Sequence, residues 1–396
     1  MTASLYIHIP FCLQKCDYCD FFSRPQNGKI PDSYVEALIN EADFYADCND
    51  ITCWKTIYIG GGTPSLLSPK QITTLLKKLS KRIGSGTQEI TMEMNPESVS
   101  KDKLSAAANS GVSRLSLGIQ SFNDKALKAI NRHCTSKRAK DGIEIIKANW
   151  NGQLNLDSIA GLPEQTEEEF IASLNQILFY EPDHISLYTL TVEEGTPLHI
   201  KIEDGIIHHD PDSADEQWIK GRELILSKGY GQYEVSNFSK PGKESRHNLT
   251  YWRQQDYVGI GAGASGTIYG QESMRWTNTQ DIEKYISFWN STALWNQADL
   301  PRQTEAIDLE TKEFEFLMMG LRTLEGINSA QYERKFSKIS PWNGNLGLRL
   351  GKETGPWKNF SKEKLTLEKS EADGSTTYAL NHNGILLLNK FLVDLL

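Results

Sequence analysis

The sequence predicts an α/β protein: an open, partial (β/α)6 barrel of TIM-like design, followed by a smaller C-terminal α+β module of winged-helix-like type. Three observations predict it. Short runs rich in β-branched and aromatic residues alternate six times with amphipathic helical patterns before residue 200. Six such units specify a parallel sheet but are too few to close an eight-fold barrel. After about residue 200 the alternation stops, and the chain finishes with a helix, a hairpin and a helix. The expected divisions are 1–200 for the barrel, 201–300 for its extension and 301–396 for the C-terminal module.

The strand runs are 5–9 (LYIHI), 56–61 (TIYIGG), 89–94 (EITMEM), 113–119 (SRLSLGI), 154–159 (LNLDSI) and 184–190 (HISLYTL). Helical patterns occupy 31–46, 69–83, 100–111, 123–133, 136–149 and 166–180. Ser68 before Pro69, Ser100 before Asp102, and Thr166 before three glutamates are helix-start signals. Gly111 stands where a C-terminal cap belongs. Farther on, 201–215 reads as a polar loop, 214–228 as a helix, and YGQYEVSNFSKPG as a strand and turn. HNLTYW (247–252), a glycine-rich run (257–266) and a polar connection near 290–304 follow. In the last module 311–324 is helical, 364–381 is a hairpin turning at Asp373–Gly374, and 384–396 is a closing helix.

Composition excludes several classes. The chain has 396 residues, 39% hydrophobic and 23% charged, with a net charge of −9. No basic surplus supports nucleic-acid binding, and the hairpin carries Glu368, Glu371 and Asp373, a poor surface for DNA. Of six cysteines, three lie within residues 12–21, and Cys48, Cys53 and Cys134 form no disulfide framework, so a reducing compartment is expected. The first residues show no signal peptide, and no apolar run reaches the ~20 residues that span a bilayer. A cytoplasmic protein without a membrane anchor is the expectation.

The chemistry gathers around CLQKCDYCDF, where Cys12, Cys16 and Cys19 are separated by three and then two residues. Such spacing brings three thiolates to one place. A closed zinc site wants four ligands, and His8 is the nearby candidate for the fourth. A cubane iron–sulfur cluster held by three thiolates instead leaves one iron open to an outside ligand. GGGTPS (60–65) follows the second strand; its glycines let backbone approach a ligand, and the lysine of a phosphate-binding Walker loop is missing. Glu93 ends the third strand, where a carboxylate can take ribose hydroxyls; Gln120 ends the fourth, Asp157 lies within the fifth, and Arg132 can meet a carboxylate. Taken singly, each is equally a capping or solvated side chain. In HNLTYW a neutral His247 suits an axial iron position, and Tyr251 and Trp252 offer flat apolar surface; a packed aromatic turn with a hydrogen-bonded histidine is the other reading.

YIHIPFCLQKCDYCDF, GGGTPS, EITMEMNP, LGIQSFND, DSIAGLP and SRHNLTYW together resemble the oxygen-independent coproporphyrinogen III oxidase group of the radical SAM superfamily, and within it the haem-chaperone branch. The likeness runs from about residue 4 to the C-terminus and is strongest over 4–270. It implies a radical SAM barrel in which Cys12, Cys16 and Cys19 hold a [4Fe–4S] cluster, whose open iron takes S-adenosylmethionine (SAM). It further implies that Tyr6, Gly61 and Glu93 touch that SAM. Tyr18, Gly62, Thr63, Gln120, Arg132, Asp157 and Thr191 would surround a second SAM, as in the oxidase relatives. Phe21 stands where the oxidases have a fourth cysteine, only five residues precede Tyr6, and Ser265 replaces a histidine frequent in the chaperone branch.

Two functions follow from this likeness. One is a haem chaperone binding cluster, SAM and haem, and passing haem to acceptors such as respiratory proteins. The other is porphyrin biosynthesis: oxidative decarboxylation of coproporphyrinogen III through a 5′-deoxyadenosyl radical, with flavodoxin or ferredoxin as electron donor. A radical SAM enzyme acting on some unrelated substrate is a third, broader reading.

Overall fold

In the first strand, β1 (Thr2–Ile9), Leu5, Ile7 and Ile9 are fully buried toward the helices, while Ser4, Tyr6 and His8 alternate with them. The same period of two recurs along the sheet, so polar residues from neighbouring strands share its other face. The computed structural model describes residues 1–26, 28–270, 272–291, 295, 299–337 and 344–395.

The repeating units are as expected. After β1 come α1 (Asp32–Cys48), β2 (Cys53–Gly61), α2 (Pro69–Leu79), β3 (Glu89–Met94), α3 (Lys101–Asn109), β4 (Arg114–Gln120), α4 (Asp124–Ala129), α5 (Ser136–Asn149), β5 (Gln153–Ala160), α6 (Glu167–Phe179) and β6 (His184–Thr189). Strands β1 to β6 pair in chain order and in parallel. Ser68 with Gln71, and Thr166 with Glu169, form capping boxes that start α2 and α6. The expected helix over 123–133 stops at Ala129, because Asn131 takes a left-handed φ of 55° and turns the chain back toward the sheet.

The chain continues through α7 (Pro197–Glu203), α8 (Pro211–Ser227), β7 (Asn237–Ser239), α9 (Arg246–Trp252), β8 (Tyr257–Ile260), β9 (Ser265–Tyr269), β10 (Ser273–Asn278), α10 (Ile282–Trp289) and β11 (Arg302–Ile307). The loop expected over 201–215 is shorter than its polar composition suggested, since α7 and α8 take both ends of it. The glycine-rich run supplies a seventh parallel strand, β8, which pairs with β1 on the side away from β2. Strands β9, β10 and β11 extend that edge in antiparallel fashion. β7 and the two-residue strand Gly231–Gln232 finish the other edge, giving twelve strands among the described residues. The polar connection expected near 290–304 lies partly outside the described residues, and its end belongs to β11. The large sheet therefore runs past the division expected at residue 300.

The C-terminal module holds α11 (Leu309–Gly320), α12 (Ser329–Phe336), α13 (Leu346–Arg349), α14 (Pro356–Lys362), the hairpin β12 (Thr366–Ser370) and β13 (Thr376–Leu380), and α15 (Leu388–Leu395). Its first helix ends at Gly320, short of the expected residue 324, and Ile327–Asn328 adds a third strand to the hairpin. Phe316, Tyr332, Phe336, Trp357 and Phe391 centre a core separate from that of the barrel. The two parts are tied by backbone, the Leu324 amide donating to the Tyr233 carbonyl (3.0 Å), and by side chains: Arg222 donates to the His382 carbonyl (2.9 Å), Gln254 to the Lys312 carbonyl (2.8 Å), and Arg275 pairs with Glu315 (2.6 Å).

Candidate functional site

The three cysteines follow β1 directly, on a loop whose backbone is fixed by the rest of the barrel. The Asp17 amide donates to the Ile130 carbonyl (3.0 Å), and the Leu198 amide to the Asp17 carbonyl (2.9 Å). The buried Asp17 carboxylate accepts from Asn131 Nδ2 (3.0 Å) and pairs with Lys201 (2.5 Å). Sequence reading passed over Asp17 and Asn131, the two residues that hold the loop down. His8 braces its other end. Its Nε2–H donates to the Phe22 carbonyl (2.8 Å), which leaves Nδ1 to accept from the Tyr6 hydroxyl (2.9 Å). Both ring nitrogens are thus used inside the fold, and burial lowers the His8 pKa. The fourth ligand that a zinc site would need is therefore not offered by His8. Among the described residues no three His, Cys, Asp or Glu side chains converge on the position of a single ion. A polynuclear cluster, taking one thiolate per iron, does not require that convergence.

Burial pushes the Cys16 and Cys19 thiols up, and the neighbouring Arg132 pulls Cys16 back down. Arg132 Nη1 lies 3.8 Å from Cys16 Sγ, while Nη2 donates to the Gly118 carbonyl. Burial works against its charge, but Tyr18 and Cys16 beside it hold the guanidinium protonated, and its buried Nε has no partner. Phe21 is 67% exposed and turned away from such packing.

The glycine turn is bonded to the same loop. The Gly62 amide donates to the Ile9 carbonyl (2.9 Å) and the Thr63 amide to the Phe11 carbonyl (2.7 Å). Gly61 has φ of 107°, and a Cβ there would stand 2.4 Å from His8 Nδ1; one on Gly62 would stand 2.7 Å from the Phe11 carbonyl oxygen. Only glycine fits. Glu93 accepts from the Gly61 amide (3.1 Å) and the Tyr58 hydroxyl (2.7 Å). Burial, with Asp157 as a second negative charge nearby, pushes its pKa up to about 7 against those two donors. Asp157 is likewise raised by burial, against hydrogen bonds that include Asn155 Nδ2 (2.6 Å).

The structure brings most of the expected SAM residues to one region. Tyr6, Gly61 and Glu93 interlock, Thr63 accepts from Asn95 (3.1 Å), and Tyr18 lies close enough to Arg132 and Asp157 to feel their charges. Gln120 ends β4 with φ of 66°, after a register shift against β5 that re-aims its side chain. Thr191 stands apart, exposed on the loop after β6.

Inside the barrel, Tyr58, Arg114, Asn155, His184 and Tyr188 were not anticipated. With Glu93 and Asp157 they line a cavity of about 40 Å³. A signal was present: buried parallel strands are usually apolar throughout, whereas these alternate polar and apolar residues, which marks a polar interior.

HNLTYW forms α9, as its spacing allowed, and α9 plugs the barrel beside the starts of the strands. The Glu89 carboxylate, from the beginning of β3, accepts from the Arg246 and His247 amides (2.9 and 3.1 Å) and pins the helix. His247 is 1% exposed. The Thr56 hydroxyl donates to Ser4 Oγ (2.8 Å) and so accepts from His247 Nδ1–H (2.8 Å), and the Tyr251 hydroxyl donates to Nε2 (2.7 Å). Burial drops its pKa to about 3. Both ring nitrogens of His247, the residue expected as an axial haem ligand, are thus engaged within the fold, and an iron there would have to displace Tyr251. Tyr251 and Trp252 do face a cavity, the larger chamber between α9 and α11.

Comparison with known proteins gives a consistent picture. The model of the radical SAM superfamily matches residues 6–177. The heme chaperone HemW of Escherichia coli (strain K12) is 38% identical over 336 residues, spanning 83% of this chain and 85% of that protein. The heme chaperone HemW of Bacillus subtilis (strain 168) is 35% identical over 342 residues, 85% of this chain and 87% of its own. Among solved structures, coproporphyrinogen III oxidase (HemN) of Escherichia coli, a radical SAM enzyme, superposes with a TM-score of 0.78 over 99% of this chain and 89% of its own. At 20% identity that match speaks for the fold.

Proposed function

Because the chain belongs to the heme chaperone HemW family of the radical SAM superfamily, we propose that it binds haem beside an iron–sulfur cluster and delivers it to acceptor proteins. The observation that carries this reading is the reach of the likeness. An alignment covering more than four-fifths of the chain necessarily passes through α9 and α11, well beyond the barrel half that the superfamily shares.

The residues present fit the cofactors of the family. Cys12, Cys16 and Cys19 would hold a [4Fe–4S] cluster, and Tyr6, Gly61 and Glu93 one SAM; the cluster, when bound, supplies an open iron for the amino and carboxylate groups of SAM. Arg132 balances thiolate charge at Cys16. Gly61 and Gly62 leave space where any side chain would collide with His8 or Phe11. Glu93, held by Tyr58 and the Gly61 amide, presents a carboxylate fixed in place. Tyr18, Gly62, Thr63, Gln120, Arg132 and Asp157 suit a second SAM, with exposed Thr191 the outlying member. Among the described residues no helix is long and apolar enough to cross a membrane; we propose a cytoplasmic carrier that meets respiratory acceptors through their own surfaces.

The test is an anaerobic reconstitution followed by haem loading and transfer to an apo-haemoprotein. Wild type should take haem stoichiometrically and give it up to the acceptor. Cys16→Ala should lose the iron–sulfur absorption near ~400 nm; unchanged iron and sulfide content would remove the cluster assignment. A second reading, oxidation of coproporphyrinogen III, draws on the second-SAM residues Gln120, Arg132 and Asp157. Formation of protoporphyrinogen by the reconstituted protein with SAM and a reductant would favour it over the chaperone.

A further inference from the structure

The chamber between α9 and α11 measures about 720 Å³, within the ~300–1,000 Å³ typical of small-molecule sites. It is rich in groups that have been left waiting. Among the described residues five buried polar atoms without a partner belong to its lining: Glu234 Oε1, Asn237 Oδ1, Trp252 Nε1, Glu315 Oε2 and Arg322 Nε. Glu234 is 0% exposed, and its carboxylate accepts from the Ser236 amide through the other oxygen (3.2 Å), with Asn237 a further hydrogen-bonding neighbour. Buried polar atoms are ordinarily satisfied, so five around one space mark it as built to receive something.

The remaining lining says what. Tyr251, Trp252, Tyr257 and Tyr269 offer π-bearing surface, with Tyr251 and Tyr257 meeting edge to face at 4.7 Å between centroids. Arg322 lies over Trp252, 5.8 Å from the ring centroid, and brings a guanidinium suited to a carboxylate. Met318 and Met319, adjacent on α11, add two thioethers, soft ligands of the kind that occupy an axial haem position. Aromatic surface, a cation at one edge and soft sulfur together describe a metallated, carboxylate-bearing macrocycle.

We infer that this chamber is the haem seat: its aromatic walls hold the ring, Arg322 takes a propionate, and a thioether of Met318 or Met319 meets the iron. The inference rests on the haem-chaperone reading and gives it a location. His247 lies behind Tyr251, outside the chamber's lining. Glu234, pushed up to about 7 by burial, is protonated in part at neutral pH and in that form can donate to a second carboxylate.

The experiment is an anaerobic titration of the full chain with ferric protoporphyrin IX, followed by Soret absorption, beside metal-free protoporphyrin IX followed by fluorescence. Arg322→Ala should weaken both ligands by about tenfold or more. The double variant Met318→Leu, Met319→Leu should shift the Soret band and weaken only the iron form. His247→Gln should keep near-wild-type affinity. If wild type binds neither ligand, the haem-chaperone reading fails and this inference with it. If wild type binds haem but the Arg322 and methionine variants bind it equally well, the chamber is overturned while the reading stands. Loss confined to His247→Gln would move the seat to that histidine. The cluster absorption of each variant reports that the fold is intact.

Discussion

His8 and His247 are the same side chain in nearly the same situation at opposite ends of the barrel. Each is buried, each has both ring nitrogens bonded, and each takes one of those bonds from a tyrosine hydroxyl. They differ in what they brace. His8 ties β1 to the end of the cysteine loop through Phe22, whereas His247 ties α9 to β2 through Thr56. One histidine shapes the cysteine loop from behind and the other seats a helix. A histidine beside cysteines and a histidine in an aromatic motif both invite assignment as ligands. What decides is where the lone pairs go, and here both are spent on structure.

The sharpest way to separate the two is to remove them one at a time. His8→Ala should have the larger consequence. It strands the Phe22 carbonyl and the Tyr6 hydroxyl, a loss of roughly 2–4 kcal/mol, and it should also lower iron retained after anaerobic reconstitution. Retention equal to wild type would show that the loop holds itself. Gly61→Ala should copy the cluster defect, because the new Cβ would press on His8 Nδ1; a normal ~400 nm band in that variant would break the link between the turn and the loop. His247→Ala should cost roughly 3 kcal/mol in urea denaturation, from two unmet partners in a buried site, with the iron content unchanged. A cluster defect there would erase the contrast between the two ends.

The smallest effect is on pH dependence. Unfolded histidine takes a proton near pH 6.5, while folded His247 resists it down to about 3. Its contribution to stability is therefore complete above pH 6.5 and is lost as pH falls below that value, by about 1 kcal/mol per pH unit. Replacing His247 by Gln, which does not titrate, should flatten that part of the acid limb in urea midpoints measured from about pH 7.5 to about pH 5. An unaltered slope would mean that His247 is reached by protons in the folded state.

Much of the architecture could be read directly. β3 runs over the expected residues 89–94, and the starts of α2 and α6 follow from Ser68 and Thr166, because strand alternation and helix caps are local properties. β8 escaped notice because a four-residue, glycine-bearing strand has no local signature; its partner is β1, some 250 residues earlier in the chain. The helix over 123–133 was overextended for a similar reason. AINRH has helical propensity, but the chain must turn at Asn131 to aim Arg132 at Gly118 and Cys16. The cysteine loop and glycine turn were legible because each is contiguous. The chamber was not, since its walls come from residues as far apart as Tyr188 and Arg322, and emptiness is not encoded in any one segment. The fate of His247 was also hidden, because Thr56 lies 191 positions away.

The two amides that bind the glycine turn to Ile9 and Phe11 make the cysteine loop and the turn one object, although 40 residues separate them in the chain. That makes the pair a poor candidate for piecemeal transplantation. A designer moving Cys12–Cys19 into another scaffold would carry over the thiols and lose the surface that shapes them. Even two adjacent parallel strands with both of their following loops would not be a sufficient unit, since Ile130, Asn131 and Lys201 also hold the loop, and a graft should be judged by whether it keeps those ties rather than by whether it keeps three cysteines.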